Sequence, residues 1–218
     1  MKGDLISVDG RLMHWNDPTF EPENLLGKDF VYQKIHTLAH IPLHCDLHIE
    51  IAEISYSTLY GHSAGLNKND LKAEIKRLLG ANRYPSGSNL ITLYLLPPGK
   101  PDMSPTRLLI CEKQLLYKGY TFWHKALDVI ATPYEYPFQP HKTSVSLTVH
   151  NYAASYARIK SADAALQQTY QGIINGLGEN PLFAINRDGA YTTPLERGIP
   201  ESVERRLGIT ACESAGLR

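Results

Sequence analysis

Cysteine is scarce in this chain. Cys45, Cys111 and Cys212 are the only three, odd in number and far apart. That spacing excludes a disulfide framework and suits a reducing compartment, so the expected location is the cytoplasm. An excess of basic charge is missing as well. Lysine plus arginine and aspartate plus glutamate both number 22, which leaves no formal net charge. Nucleic acids and anionic membranes select a basic face, and neither is expected as a partner. Met1 to Asp4 do not open a signal-peptide core, and no apolar run is long enough to span a bilayer. No Gly-rich dinucleotide loop follows a first strand near the N-terminus, so the Tyr156/Lys160 spacing is not read as a short-chain dehydrogenase pair.

What remains is ordinary globular material. The 218 residues are 43% hydrophobic and 20% charged, enough for one large domain or two smaller ones. Asp9-Gly10 between apolar flanks predicts a hairpin over 5–15. Strands are expected over 30–40, 89–96, 108–116 and 128–134. A helix over 46–60 would place Leu47, Ile51, Ile54 and Thr58 on one stripe and end at Gly61. A second helix is capped by Asn67 or Asn69, buries Leu71, Ile75, Leu78 and Leu79, and stops at Gly80. Residues 117–122 are the expected linker between an N-terminal lobe (1–116) and a C-terminal lobe (123–218).

The stretch 141–194 organises the second lobe. It opens on Lys142, expected on a strand. A helix over 147–160 follows, with Ala153, Ala157 and Ser161 four apart as a small-residue face. A hairpin flanks Asp188-Gly189, and a last helix spans 202–215. The pattern is α+β in two lobes rather than a regular βαβ array.

Three motifs have plain explanations. His36, His40, His44 and His48 recur every four residues, which on one helix would be a metal stripe. Pro42 denies that helix, and on a strand the four spread beyond one ion, so no metal site is expected. Gly61 to Gly65 fits the G-x-S-x-G elbow of serine hydrolases, but a helix precedes it where the elbow needs a strand, so it reads as an interhelix turn. Lys142, read from residue chemistry alone, is a solvated loop lysine. A Schiff-base role needs a neutral amine, which burial encourages.

Taken together, 30–35, 42–44, the capped helix after Gly65, the paired β-runs and 141–216 resemble class-IV aminotransferases. These are the fold-type-IV pyridoxal-phosphate enzymes, including branched-chain and D-amino-acid aminotransferases and aminodeoxychorismate lyases. The resemblance implies a two-lobed α+β fold with a shortened C-terminal lobe, a homodimer, and an amino- or keto-acid substrate if the protein is active. It makes Lys142 the Schiff-base lysine. It puts Ile51 where the family has its phosphate arginine, and Gly176 where it has the glutamate facing the pyridine nitrogen. Asn175 and Glu179 are the neighbouring ring-facing candidates. Ser202 to Glu204 stand where a Gly-Ile-Thr turn holds the phosphate, with Ser202 the candidate contact. The expectation is a degenerate homologue that binds pyridoxal phosphate weakly or not at all. The alternatives are an active aminotransferase or lyase using Lys142, and a non-enzymatic dimeric scaffold.

Overall fold

The computed structural model describes residues 2–21, 27–38, 40–82, 88–98, 103–114, 126–135, 140–169, 171–197 and 199–217. The chain forms two compact units, Met1–Phe122 and Trp123–Arg218. The expected linker, 117–122, lies outside the described residues.

The first unit is a six-stranded antiparallel sheet with two helices on one face. Its strands are β1 (Lys2–Val8), β2 (Arg11–His14), β3 (Val31–Leu38), β4 (Ile41–Pro42), β5 (Ser88–Leu96) and β6 (Thr106–Gln114), in the order β2-β1-β6-β5-β3-β4. The hairpin forms as its turn chemistry dictates, with Asp9 and Gly10 both at positive φ. Alternate residues of the central strands point to the helices. Val31, Ile35, Ile91, Leu93, Leu95, Leu109 and Cys111 meet α1 (Cys45–Tyr60) and α2 (Lys68–Ala81) in one core.

Helix α2 follows its sequence signals. The Asn67 side chain accepts from the Asn69 and Asp70 amides, and the four expected apolar residues are buried. Each such burial contributes about 1.5–3 kcal/mol. Helix α1 departs from expectation. Of the stripe Leu47, Ile51, Ile54 and Thr58, only Ile51 is buried, and Ile54 is exposed. Cys45, Ile49, Ala52 and Tyr56 share the same spacing one face around. That face is the one that meets the core. The helix starts from His44 in a left-handed conformation with no side-chain cap, so no capping residue marks its start.

Two polar devices fasten β1 to α2. The Glu74 carboxylate is buried, accepts from Ser7 Oγ at 2.6 Å and pairs with Arg107 at 2.7 Å. The Asn82 amide replaces a missing strand partner where the β1–β6 register shifts. It accepts from the Leu5 amide at 2.9 Å and donates to the Leu5 carbonyl at 2.9 Å.

The second unit contains β7 (Val129–Glu135), α3 (Ser144–Ile159), β8 (Ala164–Gln168), β9 (Ile174–Leu177), β10 (Phe183–Ile185), β11 (Ala190–Thr192), a 3-10 turn (Leu195–Arg197) and α4 (Val203–Ser214). β8 lies between β7, which is parallel to it, and β9, which is antiparallel. Helix α3 is the crossover that a parallel pair requires. It begins a turn earlier than expected because Thr143 and Ser146 form a reciprocal capping box. Ala153 and Ala157 pack on Ala165 as a small-residue face. Ser161 does not join them. It lies beyond the helix end at φ 55. Helix α4 runs through Gly208-Ile209-Thr210 without interruption. A Cβ at Gly208 would come within 2.6 Å of the Phe183 ring, so the glycine permits that contact.

Candidate functional site

Because α3 connects two parallel strands, it runs back along the sheet, and its N-terminus lies at the end where β8 stops. That end collects the polar side chains. Thr132, Lys142, Ser146, Gln167, Asn175 and Ser202 are the deeply buried polar residues described in this unit. The carboxyl ends of parallel strands are where α/β sheets usually bind ligands.

Lys142 precedes the capping residue of α3 rather than lying on a strand. It is not solvated: 4% of its surface is exposed, and Nζ lies 3.9 Å from Glu204 Oε2 in the first turn of α4. The start of α4 is held against this segment, with the Glu201 amide donating to the Pro140 carbonyl at 3.3 Å. It is also tied toward β9. Arg205 donates to the Thr193 carbonyl at 3.3 Å, and Thr193 Oγ1 donates to the Ile174 carbonyl at 2.5 Å.

Two of the amides around the start of α4, those of Ser202 and Arg205, are engaged by the chain itself. Ser202 Oγ caps the helix by accepting from the Arg205 amide at 3.1 Å. The Ser202 amide donates to Glu201 Oε1 at 3.0 Å, and the other Glu201 oxygen is 3.6 Å from Arg206 Nε. A helix N-terminus attracts negative charge, and here two glutamates supply it. Beside this cluster, burial lowers the His141 pKa below its usual value.

On β9 the register slips between Gln167 and Gln168 of its neighbour, which leaves Asn175 as the extra residue of a bulge. Bulges re-aim side chains. Asn175 is 8% exposed, and neither its Oδ1 nor its Nδ2 has a hydrogen-bond partner. Gln167, 2% exposed, likewise leaves Nε2 unpartnered. Gly176 has no room for a side chain, since a Cβ there would lie 2.6 Å from the Asn180 carbonyl oxygen. Of the two neighbouring positions, Asn175 is the one that presents a side chain.

Lys142, Asn175, Ser202 and Glu204 are thus gathered at one end of the unit. Glu179 is not with them: it sits in the turn after β9, toward the opposite end of the sheet. Ile51 is buried in α1 of the first unit. Sequence reasoning missed Gln167 and Glu201. The available signal for Gln167 was a polar residue two positions after Ala165, on the inward face of a strand.

The motifs set aside from sequence take ordinary places. The four histidines are distributed over β3, a turn, the α1 cap and the α1 interior, where His48 contacts Gln33 Oε1 at 3.2 Å. Ser63 donates to Glu53 Oε1 at 2.5 Å, and Glu53 also accepts from the Ala64 amide, which ties down an interhelix turn. Lys160 lies over the face of the Tyr156 ring, at 5.9 Å from its centre.

An antiparallel sheet under two helices, then a βαβ unit with a hairpin and a final helix, is the fold of the fold-type-IV pyridoxal-phosphate aminotransferases. Three branched-chain aminotransferases illustrate the likeness. The Escherichia coli enzyme matches with a TM-score of 0.79 at 15% identity, over 100% of this chain and 75% of its own. The Thermobaculum terrenum enzyme in its PLP form gives 0.78 at 15%, over 100% and 76%. The Thermoproteus uzoniensis enzyme with norvaline gives 0.74 at 17%, over 99% and 76%. No family model and no curated protein matches the chain by sequence. Among the described residues no helix is long and apolar enough to cross a membrane.

Proposed function

We propose that this chain is a degenerate member of the aminotransferase class, one that keeps the fold and the buried lysine and does not hold pyridoxal phosphate. The observation that carries this reading is the ion pair between Lys142 and Glu204, with Glu201 already occupying the Ser202 amide. A cofactor phosphate is dianionic and needs cationic or amide donors around it. At the start of α4 it would meet two carboxylates, Glu201 and Glu204, with Arg206 already beside Glu201 and Arg205 the one further cation of that turn. Ile51, the family's arginine position by resemblance, is aliphatic and offers no charge. Asn175 can hydrogen-bond a pyridine nitrogen but cannot keep it protonated, so the electron sink would be weak. The residues present do not fit the group.

An active transaminase or lyase acting on a small amino or keto acid is the second reading. The burial of Lys142 and the unpartnered amide of Asn175 favour it. The homodimer and the cytoplasmic location remain part of both readings, and sedimentation equilibrium tests the dimer.

Incubation with pyridoxal phosphate, visible spectroscopy and borohydride reduction separate the two readings. The degenerate reading expects the spectrum of the free cofactor and no mass added at Lys142, with Lys142→Ala behaving as the parent protein does. A new band that borohydride fixes onto Lys142, and that Lys142→Ala abolishes, would establish the active reading instead.

A further inference from the structure

We infer that the cavity between the β10–β11 hairpin and α4 is a binding site for an amphipathic amine, an alkyl or aryl group that ends in one ammonium. It lies along the C-terminal half of α4, beyond the turn that meets Lys142, and does not rest on the reading above.

Shape is the first part of the argument. Cross-strand partners share a face, so Phe183, Ile185, Ala190 and Thr192 lie on one side of the hairpin. The Phe183 ring rests on Gly208, and there hairpin and helix meet. Past that contact Ala190 and Gly216 have too little bulk to close the gap, and a cavity of about 600 Å³ remains. Small-molecule sites have volumes of about 300–1,000 Å³. Phe183, Ile209 and Leu217 give it apolar walls, and the Cys212 thiol a soft, polarisable one. The Thr192 hydroxyl is already engaged, donating to the Leu182 carbonyl at 2.8 Å.

Charge is the second part. Among the described residues of the walls only Glu213 is charged, and no hydrogen bond or ion pair engages its carboxylate. The last turn of α4 carries no basic residue, so the partial negative charge of its carbonyl end adds to that of Glu213. The neighbouring cations do not cancel it. Arg205 shares the stripe of Ile209, Cys212 and Gly216, but it stands two turns before Glu213, about 12 Å along the axis. Charges at the surface are screened beyond about 8 Å at physiological ionic strength. The Arg205 guanidinium is turned to the Thr193 carbonyl, and its buried, unpartnered Nε lies outside the walls. Arg206 faces Glu201. Arg187 and Asp188 at the hairpin tip are adjacent and opposite in sign, as are Glu196 and Arg197 in the 3-10 turn. An ammonium on an apolar body complements both the walls and the charge.

The n-alkylamines from propyl to hexyl are the probes, with hexanol and hexanoate as neutral and anionic controls. Cys212 reports occupancy through its rate of modification by methyl methanethiosulfonate, read by mass spectrometry of the full chain at neutral pH. Hexylamine is expected to slow that reaction in a saturable way. Affinity should rise about fourfold for each methylene buried. Glu213→Gln should weaken hexylamine about two- to fivefold and leave hexanol unchanged. Ala190→Leu fills the cavity and should remove the protection. Backbone amide shifts of Ile209, Gly216 and Thr192 in the parent should follow the same saturation curve.

No protection by hexylamine overturns the inference. So does equal protection by hexanoate, an affinity independent of chain length, or a Glu213→Gln variant that binds hexylamine as the parent does. Cys212 that reacts only on dilution, in a protein that sediments as a dimer and ignores hexylamine, would assign the groove to a second copy of the chain instead.

Discussion

The contact between Lys142 and Glu204 can be measured on its own. Two unit charges 3.9 Å apart attract by about 4 kcal/mol at an effective dielectric constant of about 20. Glu204 is 40% exposed, so solvent screens the pair and the net coupling should be about 1–2 kcal/mol. Glu204→Gln removes the charge and keeps the shape, leaving a buried ammonium without that partner. Lys142→Met removes the ammonium and keeps most of the packing. The expected outcome is that Glu204→Gln lowers stability by about 1–2 kcal/mol in the parent and has almost no effect in the Lys142→Met background. Urea unfolding of the parent, both single variants and the double variant gives the coupling energy. Two compact units can unfold separately, so amide exchange at the start of α4 should be followed as well, with faster exchange expected in Glu204→Gln. A coupling energy of about 0.3 kcal/mol or less would refute the reasoning.

Other expectations concern both units. Glu74→Ala strands Arg107 and the buried hydroxyl of Ser7, and should cost about 3 kcal/mol, measured by urea unfolding. Burial pushes the thiol of Cys45 up to about 11 and that of Cys111 up to about 12, while Cys212 is half-buried. A thiol reagent at neutral pH should therefore modify Cys212 first and reach the other two only on unfolding, as read by mass spectrometry. Because burial lowers the pKa of His141 from 6.5, the unfolded chain binds that proton more readily. Stability should fall as pH drops below about 6.5, and His141→Gln should flatten that part of the urea-midpoint profile.

Much of this fold is legible in the residues. Asn67 as a cap, the spacing of Leu71, Ile75, Leu78 and Leu79, and Asp9-Gly10 as a turn act within a few residues, so local chemistry decides them. Helix α1 is harder because its sequence carries two stripes of equal spacing. The sheet it meets decides between them, and that sheet is assembled from distant segments. Lys142 shows the same limit. Beside His141 and Thr143 it reads as a surface lysine, and its burial depends on α4, which begins some sixty residues later. The steric demand of the Asn180 carbonyl at Gly176 is likewise invisible in the sequence, and it is what leaves Asn175 as the side chain presented there.

The pairing of β1 with β6 joins Ile6 to Ile110, so the first strand synthesised completes the sheet only after nearly the whole first unit has been made. Closing so long a segment is an entropic barrier that early local contacts do not lower. The β1–β2 hairpin should therefore leave the ribosome with an open edge. Asn82, which grips Leu5 through its side chain, can seize that edge as soon as α2 has formed and before β6 exists. It would then work as a temporary clasp during synthesis, shielding the hairpin from pairing with other nascent chains.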